Sequence, residues 1–434
     1  MDQKKMSGAN PVAAAGKRGI ESYASVARMN VALILVSLVL FCYGLVILFS
    51  ACMNSGSGAL DVVFDQAKNS LIGVGAALVL IFALHVRAYN KTLLVCGAYI
   101  LVLGLMIFTA RFGIVEYGAR RWVSIAGFRF QSSEVAKIGL VFFIAGYKPM
   151  IRRWRKKGRL RFQTKKMQSF MDTFMDFTLP VLLVGIILLL VLMQPHMSGF
   201  IILGVVCLIC FLASGIRPRA WIEGGITLLV VGLVVGNILM AVVPVEMKDK
   251  FLGNFAHVGE RLAIHETMNA EEAAEAVVKT VDLNDVDTAQ SENSILAIAS
   301  GGMRGLGLGQ SRQKYGYLPV VSNDYVFSIA CEELGFFGGV SIILLFLVFM
   351  GLGFYISFHA ADSFCRILVL GYTTLIGLQA FLNIAVASGV IPPTGVTLPF
   401  FSSGGTANAI FMIALGFILA VSRTGVKEKK RIYL

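Results

Sequence analysis

The chain has 434 residues, 57% of them hydrophobic and only 15% charged, with a formal net charge of +13 and a mean hydropathy of +0.77. That composition excludes a water-soluble globular fold of this length and marks a polytopic membrane protein. In such a chain the positive charge reads as anchoring to anionic membrane lipid, and nucleic-acid binding is set aside.

A basic tail, residues 1–29, precedes the first apolar run. Runs long enough to cross about 30 Å of hydrocarbon recur near 30–52, 70–86, 92–110, 133–147, 177–194, 199–214, 221–244, 325–353, 365–388 and 404–422. They are continuous rather than alternating, so the expected fold is all-α, with about ten transmembrane helices and no barrel strands. The first run is too long for a signal-peptide core and lacks a clear small-residue cleavage site, which makes it a retained anchor. Ten Lys and Arg fill residues 148–166, Arg217 and Arg219 lie between the sixth and seventh runs, and a basic tail, 424–434, closes the chain. Basic loops stay on the cytoplasmic side, and an even number of spans brings both termini there.

This topology leaves a membrane domain, 30–423, with one large extracytoplasmic loop, 245–324, that holds twelve acidic and seven basic residues. The loop contains "SENSILAIASGGMRGLGLGQ", with Gly301, Gly302, Gly305, Gly307 and Gly309 crowded together. Glycine-rich backbone cradles phosphate in many proteins. Here the strand–turn–helix setting and spacing of a dinucleotide fingerprint are missing, and no nucleotide pool exists outside the membrane. Any phosphate bound there belongs to a lipid carrier, and the other reading is a loop that packs closely on helices. A second anomaly is the outer loop 111–132, with Arg111, Arg120, Arg121 and Arg129, which runs into Glu134 and Lys137 at the membrane boundary. Such charges either pair to tie helices together or form an outward anion site.

The blocks "GARRWVSIAGFRFQSSEVAK", "MQPHMSG", "AIASGGMRGLGLGQS", "YGYLPVVSNDYVFSIACEELGFFGG" and "GVIPPTGVTLPFFSSGGT" occur in this order. Together they resemble the SEDS family, the shape, elongation, division and sporulation proteins typified by FtsW and RodA. "LPFFSSGGT" leans toward the division branch.

The resemblance implies a bacterial plasma-membrane glycosyltransferase that polymerises lipid II, the undecaprenyl-pyrophosphate-linked disaccharide pentapeptide, into peptidoglycan strands. A lipid II transporter is the alternative. The implied partner is a class B penicillin-binding protein that crosslinks the product. The family supplies an Asp general base in the outer loop. The matching stretch "VDLNDVDTAQSENSILAIASGG" offers Asp282 and Asp285, with Asp287 behind them, and lacks the family's D-P and glycines. Arg120, Arg121 and Lys137, with Glu134 holding a cation in place, are expected to receive the departing pyrophosphate. A divalent cation, Mg or Mn, is expected to share that work, and no covalent cofactor is implied. Ser132 stands where the family has proline, which softens the helix start. Ser300, Gly301, Gly302, Glu332, Glu333, Ser402 and Ser403 are expected around the substrate, with a satisfied pair at the outer helix end as the other reading of Glu332 and Glu333. Gln379 and Asn383, one turn apart, either face the same cavity or hydrogen-bond between helices.

Three further features are read as structural. Cys207 and Cys210, one turn apart inside an apolar run, are small buried residues. His196 in "QPHMSG" is an outer-end residue read as structural, with a proton relay as the other reading. Residues 269–279 read as a short amphipathic helix in the outer loop.

Overall fold

The computed structural model describes residues 30–53, 58–83, 86–116, 119–125, 128–160, 164–194, 196–242, 286–314 and 324–424. Both terminal tails and the segment 269–279 lie outside them. Eleven helices stand among the described residues: α1 Val31–Ala51, α2 Ala59–Phe82, α3 Thr92–Phe112, α4 Ser132–Lys156, α5 Lys165–Met193, α6 Met197–Ala213, α7 Pro218–Val242, α8 Val286–Ser300, α9 Val326–Phe358, α10 Ser363–Ala387 and α11 Thr406–Thr424. Each of the ten apolar runs coincides with one of these, and α8 is the additional helix. Six are by themselves long and apolar enough to cross a membrane. The chain is a nearly all-helical, multi-pass membrane protein.

Three boundaries differ from expectation. Helix α2 begins at Ala59, not near 70; α4 runs on to Lys156; and α5 begins at Lys165. In each case a helix continues through polar residues that a hydropathy run cannot include. The outer loop 111–132 is also not irregular. It folds into a three-stranded antiparallel sheet, β1 Ile114–Glu116, β2 Ala119–Ile125 and β3 Phe128–Gln131, in the order β1-β2-β3.

Burial is inverted relative to a soluble protein. Leu71, Leu93, Ile100 and Phe112 are exposed, while Glu134, Lys137, Glu332 and Glu333 are buried. Hydrocarbon accepts the apolar exterior, and polar side chains turn inward to one another. Helices α10 and α11 form the centre, with 72% of the apolar window of each buried, against 33% in α1 and 28% in α3. Local caps fix the ends. Asn30 accepts from the Leu33 amide at 3.0 Å and donates its own amide to Ser422 at 3.0 Å, tying α1 to α11. Asp362 accepts from the Cys365 amide at 2.8 Å at the start of α10. Cys207 and Cys210 are buried free thiols within α6.

The glycine-rich stretch answers a backbone problem. Helix α9 is broken at Gly335, whose φ of 68° and ψ of −163° are non-helical, so carbonyls on the preceding turn lose their helical donors. In a membrane such groups must find partners within the protein. The amides of Leu306 and Gly307 donate to the carbonyls of Glu332 and Glu333, each at 2.9 Å, and the Phe336 amide donates to the Gly302 carbonyl at 2.8 Å. Gly305 has φ of 79°, and a Cβ there would collide with the Glu333 carbonyl.

The side chains complete the lock. Glu332 accepts from the Ser311 hydroxyl and from the Arg312 amide at 2.9 Å. Glu333 accepts from Ser50 at 2.6 Å and pairs with Lys314 at 3.3 Å. Ser294 of α8 lies 2.5 Å from Ser328 and donates to the Ala387 carbonyl at 2.6 Å, so α8 is fastened to both α9 and α10.

Gly305→Ala combines a forbidden φ with a backbone collision. It is expected to destabilise the fold by more than about 2 kcal/mol, lowering the midpoint of thermal unfolding in detergent. Alanine at Gly104, which meets nothing within 4 Å, is expected to leave that midpoint unchanged or slightly raised.

Candidate active site

Strand β3 ends at Gln131 and α4 starts at Ser132, so the first turn of α4 follows directly from the sheet. That turn holds Glu134, favoured by the helix dipole, with Lys137 three residues on along the same face. Both are buried, Glu134 at 6% exposure and Lys137 at 2%. The Lys137 ammonium donates to Glu134 Oε1 at 2.6 Å and to Gln379 Oε1 of α10 at 2.8 Å. Gln379 in turn donates to Thr397 Oγ1 at 3.1 Å, and Asn383, one turn along α10, donates to the carbonyls of Val396 at 2.6 Å and Asp324 at 2.8 Å. The irregular backbone after Pro392 and Pro393 is thereby satisfied by amide side chains on a rigid helix, the condition for non-helical chain at membrane depth.

The cluster is not closed. Glu134 Oε2, Ser133 Oγ, His196 Nδ1 and Asn383 Oδ1 are buried without a hydrogen-bond partner. Lys137 carries three donors, and two are taken by the partners just named. Each open valence here favours a polar ligand or water, because buried polar groups are otherwise paired.

The sheet brings the arginines to the same end. Side chains alternate along a strand, so Arg120 and Arg121 point to opposite faces. Arg121 Nε reaches the Gln194 carbonyl at 3.1 Å, beside Ser132, which donates to Gln194 Oε1 at 3.3 Å. Arg120 is exposed and donates to the Arg111 carbonyl at 3.1 Å. Trp122, on the Arg120 face, pairs across the ladder with Gln131, and Ser124 with Arg129. Trp122 and Arg129 line a groove of about 600 Å³ with Asp65, Gln66, Lys68 and Asn69 of α2 and Ser403, Gly405 and Thr406. Gln66 donates to the Ser402 carbonyl at 2.7 Å, and Ser402 Oγ accepts from the Leu398 amide at 2.8 Å. Buried Phe400 in this turn has φ of 70°, a strained conformation for a non-glycine residue, held where its amide donates to Asn408 Oδ1 at 3.1 Å.

Of the residues expected from sequence, the fold therefore gathers Arg121, Glu134, Lys137, Gln379, Asn383, Ser402 and Ser403 around the start of α4 and the 396–406 turn. Arg120 shares the sheet but lies on its other face from Arg121. Ser300 donates to the Ala297 carbonyl at 2.9 Å within α8, while Gly301, Gly302, Glu332 and Glu333 belong to the lock on α9. Asp282 and Asp285 lie outside the described residues, and Asp287 falls in the first turn of α8. The α2 residues Asp65, Gln66, Lys68 and Asn69 and the aromatic Trp122 were not expected. Polar residues at helical spacing before Ser70, "DVVFDQAKNS", were the available signal for the first four.

His196 is buried at the start of α6, tucked against Gly199, where a Cβ would strike the ring. Burial, with the Lys137 and Arg121 cations adding to it, pushes its imidazole down to about 3, so the ring is neutral. Burial pushes the Asp324 carboxyl up to about 6 beside the same 395–397 backbone. Among the described residues no three His, Cys, Asp or Glu side chains converge to hold a metal ion. The spare carboxylate oxygen belongs to Glu134, which already faces an ammonium, so these side chains do not by themselves fit a divalent cation.

The family model described as cell cycle protein, of FtsW, RodA and SpoVE, matches residues 30–427. Stage V sporulation protein E of Bacillus subtilis is 29% identical over 401 residues, covering 90% of this chain and 96% of the relative. A probable peptidoglycan glycosyltransferase FtsW of the same organism is 30% identical over 395 residues, covering 90% and 89%. Among solved structures, a chain from "Structural coordination of polymerization and crosslinking by a peptidoglycan synthase complex" aligns with a TM-score of 0.62 at 22% identity, covering 91% of this chain and 98% of that one. The rod shape determining protein RodA of Thermus thermophilus aligns at 0.58 and 22%, covering 92% and 98%. At that identity the structural likeness speaks to the fold.

The neutral state of His196 has a consequence for stability. The unfolded chain takes up a proton near pH 6.5 that the folded site refuses until about 3. The His196 contribution to stability is thus full above pH 6.5 and falls as pH drops toward 4, while the Asp324 carboxyl, raised to about 6, contributes with the opposite sign below pH 6. Between pH 6.5 and 4 in detergent the unfolding midpoint of the wild type should fall relative to that of His196→Asn, and a difference that does not change with pH would contradict this.

Proposed function

The chain belongs to the FtsW/RodA/SpoVE family of cell cycle proteins, matched over residues 30–427, and from that premise we propose that it is a peptidoglycan glycosyltransferase polymerising lipid II on the outer face of the bacterial plasma membrane. What carries the reading is the buried Glu134–Lys137 pair, fixed by Gln379 yet left with an unpartnered carboxylate oxygen. A buried ion pair with open valences at a membrane boundary is a functional arrangement by default.

In the proposed reaction the 4-hydroxyl of one disaccharide attacks the anomeric carbon of another. A new C–O bond forms on one face as the bond to the pyrophosphate oxygen breaks on the other, inverting the centre. The hydroxyl proton passes to a carboxylate of the outer loop, Asp282 or Asp285. The bonding pair leaves with undecaprenyl pyrophosphate, whose growing negative charge is met by the remaining Lys137 donor and the arginines of the sheet. Preorganised donors of this kind act strongly because they do not reorient during the reaction. The groove lined by Trp122, Arg129, Asp65, Lys68 and Ser403 suits a sugar with charged substituents, an aromatic face stacking on the ring and charges at the rim. A divalent cation, Mg or Mn, would add positive charge if the outer-loop acids supply its ligands. A class B penicillin-binding protein is the proposed partner, supported by the likeness to a chain of a peptidoglycan synthase complex. The basic segments support a topology with both termini in the cytoplasm.

Purified protein with its cognate class B partner, incubated with lipid II and resolved on a gel, should give a ladder of glycan strands. A well-folded wild type that makes none contradicts the proposal. Asp282→Asn or Asp285→Asn, whichever removes the base, should lower the rate about 10²–10⁴-fold. Full activity in both variants would move the base elsewhere.

A further inference from the structure

The bundle end that carries the basic run 148–166 holds a second crevice, of about 330 Å³, between α5 and α7. It arises from local helix geometry. Over Phe174–Thr178 helix α5 turns as a π-helix, which widens it against α7. Gly224 of α7 lets the Phe177 ring close in, since a Cβ there would strike it, and the crevice opens beside this contact.

Its lining combines one cation and one anion. Lys166 and Glu223 face the same space, with the hydroxyls of Ser169, Thr173 and Thr227 between them and the ring of Phe170 as a wall. Thr173 donates to Glu223 Oε2 at 2.8 Å and so orients the carboxylate, while the Thr227 hydroxyl is turned back onto the Glu223 backbone carbonyl at 2.8 Å. Lys166 makes no ion pair or hydrogen bond among the described residues. Around the mouth Met167, Phe170, Ile222 and Ile226 are exposed, at 51%, 54%, 67% and 60%. On a multi-pass membrane protein such side chains lie in hydrocarbon, so the crevice opens toward lipid where the charged pair marks the polar boundary.

We infer that this crevice binds the headgroup of an amine-bearing zwitterionic phospholipid of the phosphoethanolamine type. Its phosphate would meet Lys166 and the hydroxyls, and its primary ammonium would donate to Glu223. A trimethylated headgroup has no N–H to give the carboxylate. An anionic headgroup without an amine sets its charge against Glu223. The acyl chains would lie along the exposed apolar side chains. This inference is independent of the reaction proposed above, because no residue is shared with the groove near Trp122.

The test is native mass spectrometry of the delipidated full-length protein titrated separately with phosphatidylethanolamine, phosphatidylcholine and phosphatidylglycerol of matched chains. The wild type should bind the ethanolamine lipid about threefold to tenfold more tightly than the other two, a range set by one partly solvated charged contact. Glu223→Gln should erase the preference over phosphatidylcholine, Lys166→Gln should weaken all three, and Lys157→Gln, outside the crevice, should change nothing. Equal binding of the ethanolamine and choline lipids, tighter binding of phosphatidylglycerol, or a preference that survives Glu223→Gln would each overturn the inference.

Discussion

An ammonium group buried at 2% exposure inside a membrane bundle is the constraint around which the rest of this structure is arranged. A buried cation needs fixed acceptors around it, because uncompensated charge in a low-dielectric interior is costly. Glu134 supplies one acceptor from the same helix and Gln379 another from α10. The requirement therefore ties α4 to the central helix, and through Gln379 and Asn383 it reaches the irregular 396–397 backbone. What looks like a local ion pair joins α4, α10 and the 396–397 turn.

Two polar systems divide the labour. The Lys137 system retains open valences. The Glu332–Glu333 system is filled: its carboxylates accept from Ser50, Ser311 and the following amides, and its backbone carbonyls accept from the glycine-rich loop. The first has capacity left for a ligand, whereas the second stabilises a break in α9 that hydrocarbon would not tolerate. Of the glycines that suggest a phosphate cradle in the sequence, Gly302, Gly305 and Gly307 have amides engaged by protein carbonyls instead.

Much of the fold was legible, since a span must be apolar along its length and every run of that kind is a helix. The start of α2 was not, because Asp61, Asp65 and Lys68 interrupt the hydropathy while leaving the helix intact. The sheet at 114–131 was hidden for a related reason: its arginines suggested a loop, and the two-residue alternation that separates Arg120 from Arg121 is short and partly solvated. At the site, Glu134 and Lys137 were legible as charges at a membrane boundary. The part played by Gln379 and Asn383 depended on which residues of a distant turn they meet, which no local pattern specifies. The groove residues of α2 followed its boundary out of view.

If the Lys137 system receives the departing pyrophosphate, the free product should bind there. The most direct measurement is the affinity of the purified protein for undecaprenyl pyrophosphate, compared between wild type and Lys137→Met, with Glu134→Gln/Lys137→Met included to keep the interior free of an unpaired carboxylate. A loss of about tenfold or more in both variants, with folding intact, is the result the account predicts for one buried charge-assisted contact. Unchanged affinity in a folded double variant would contradict it.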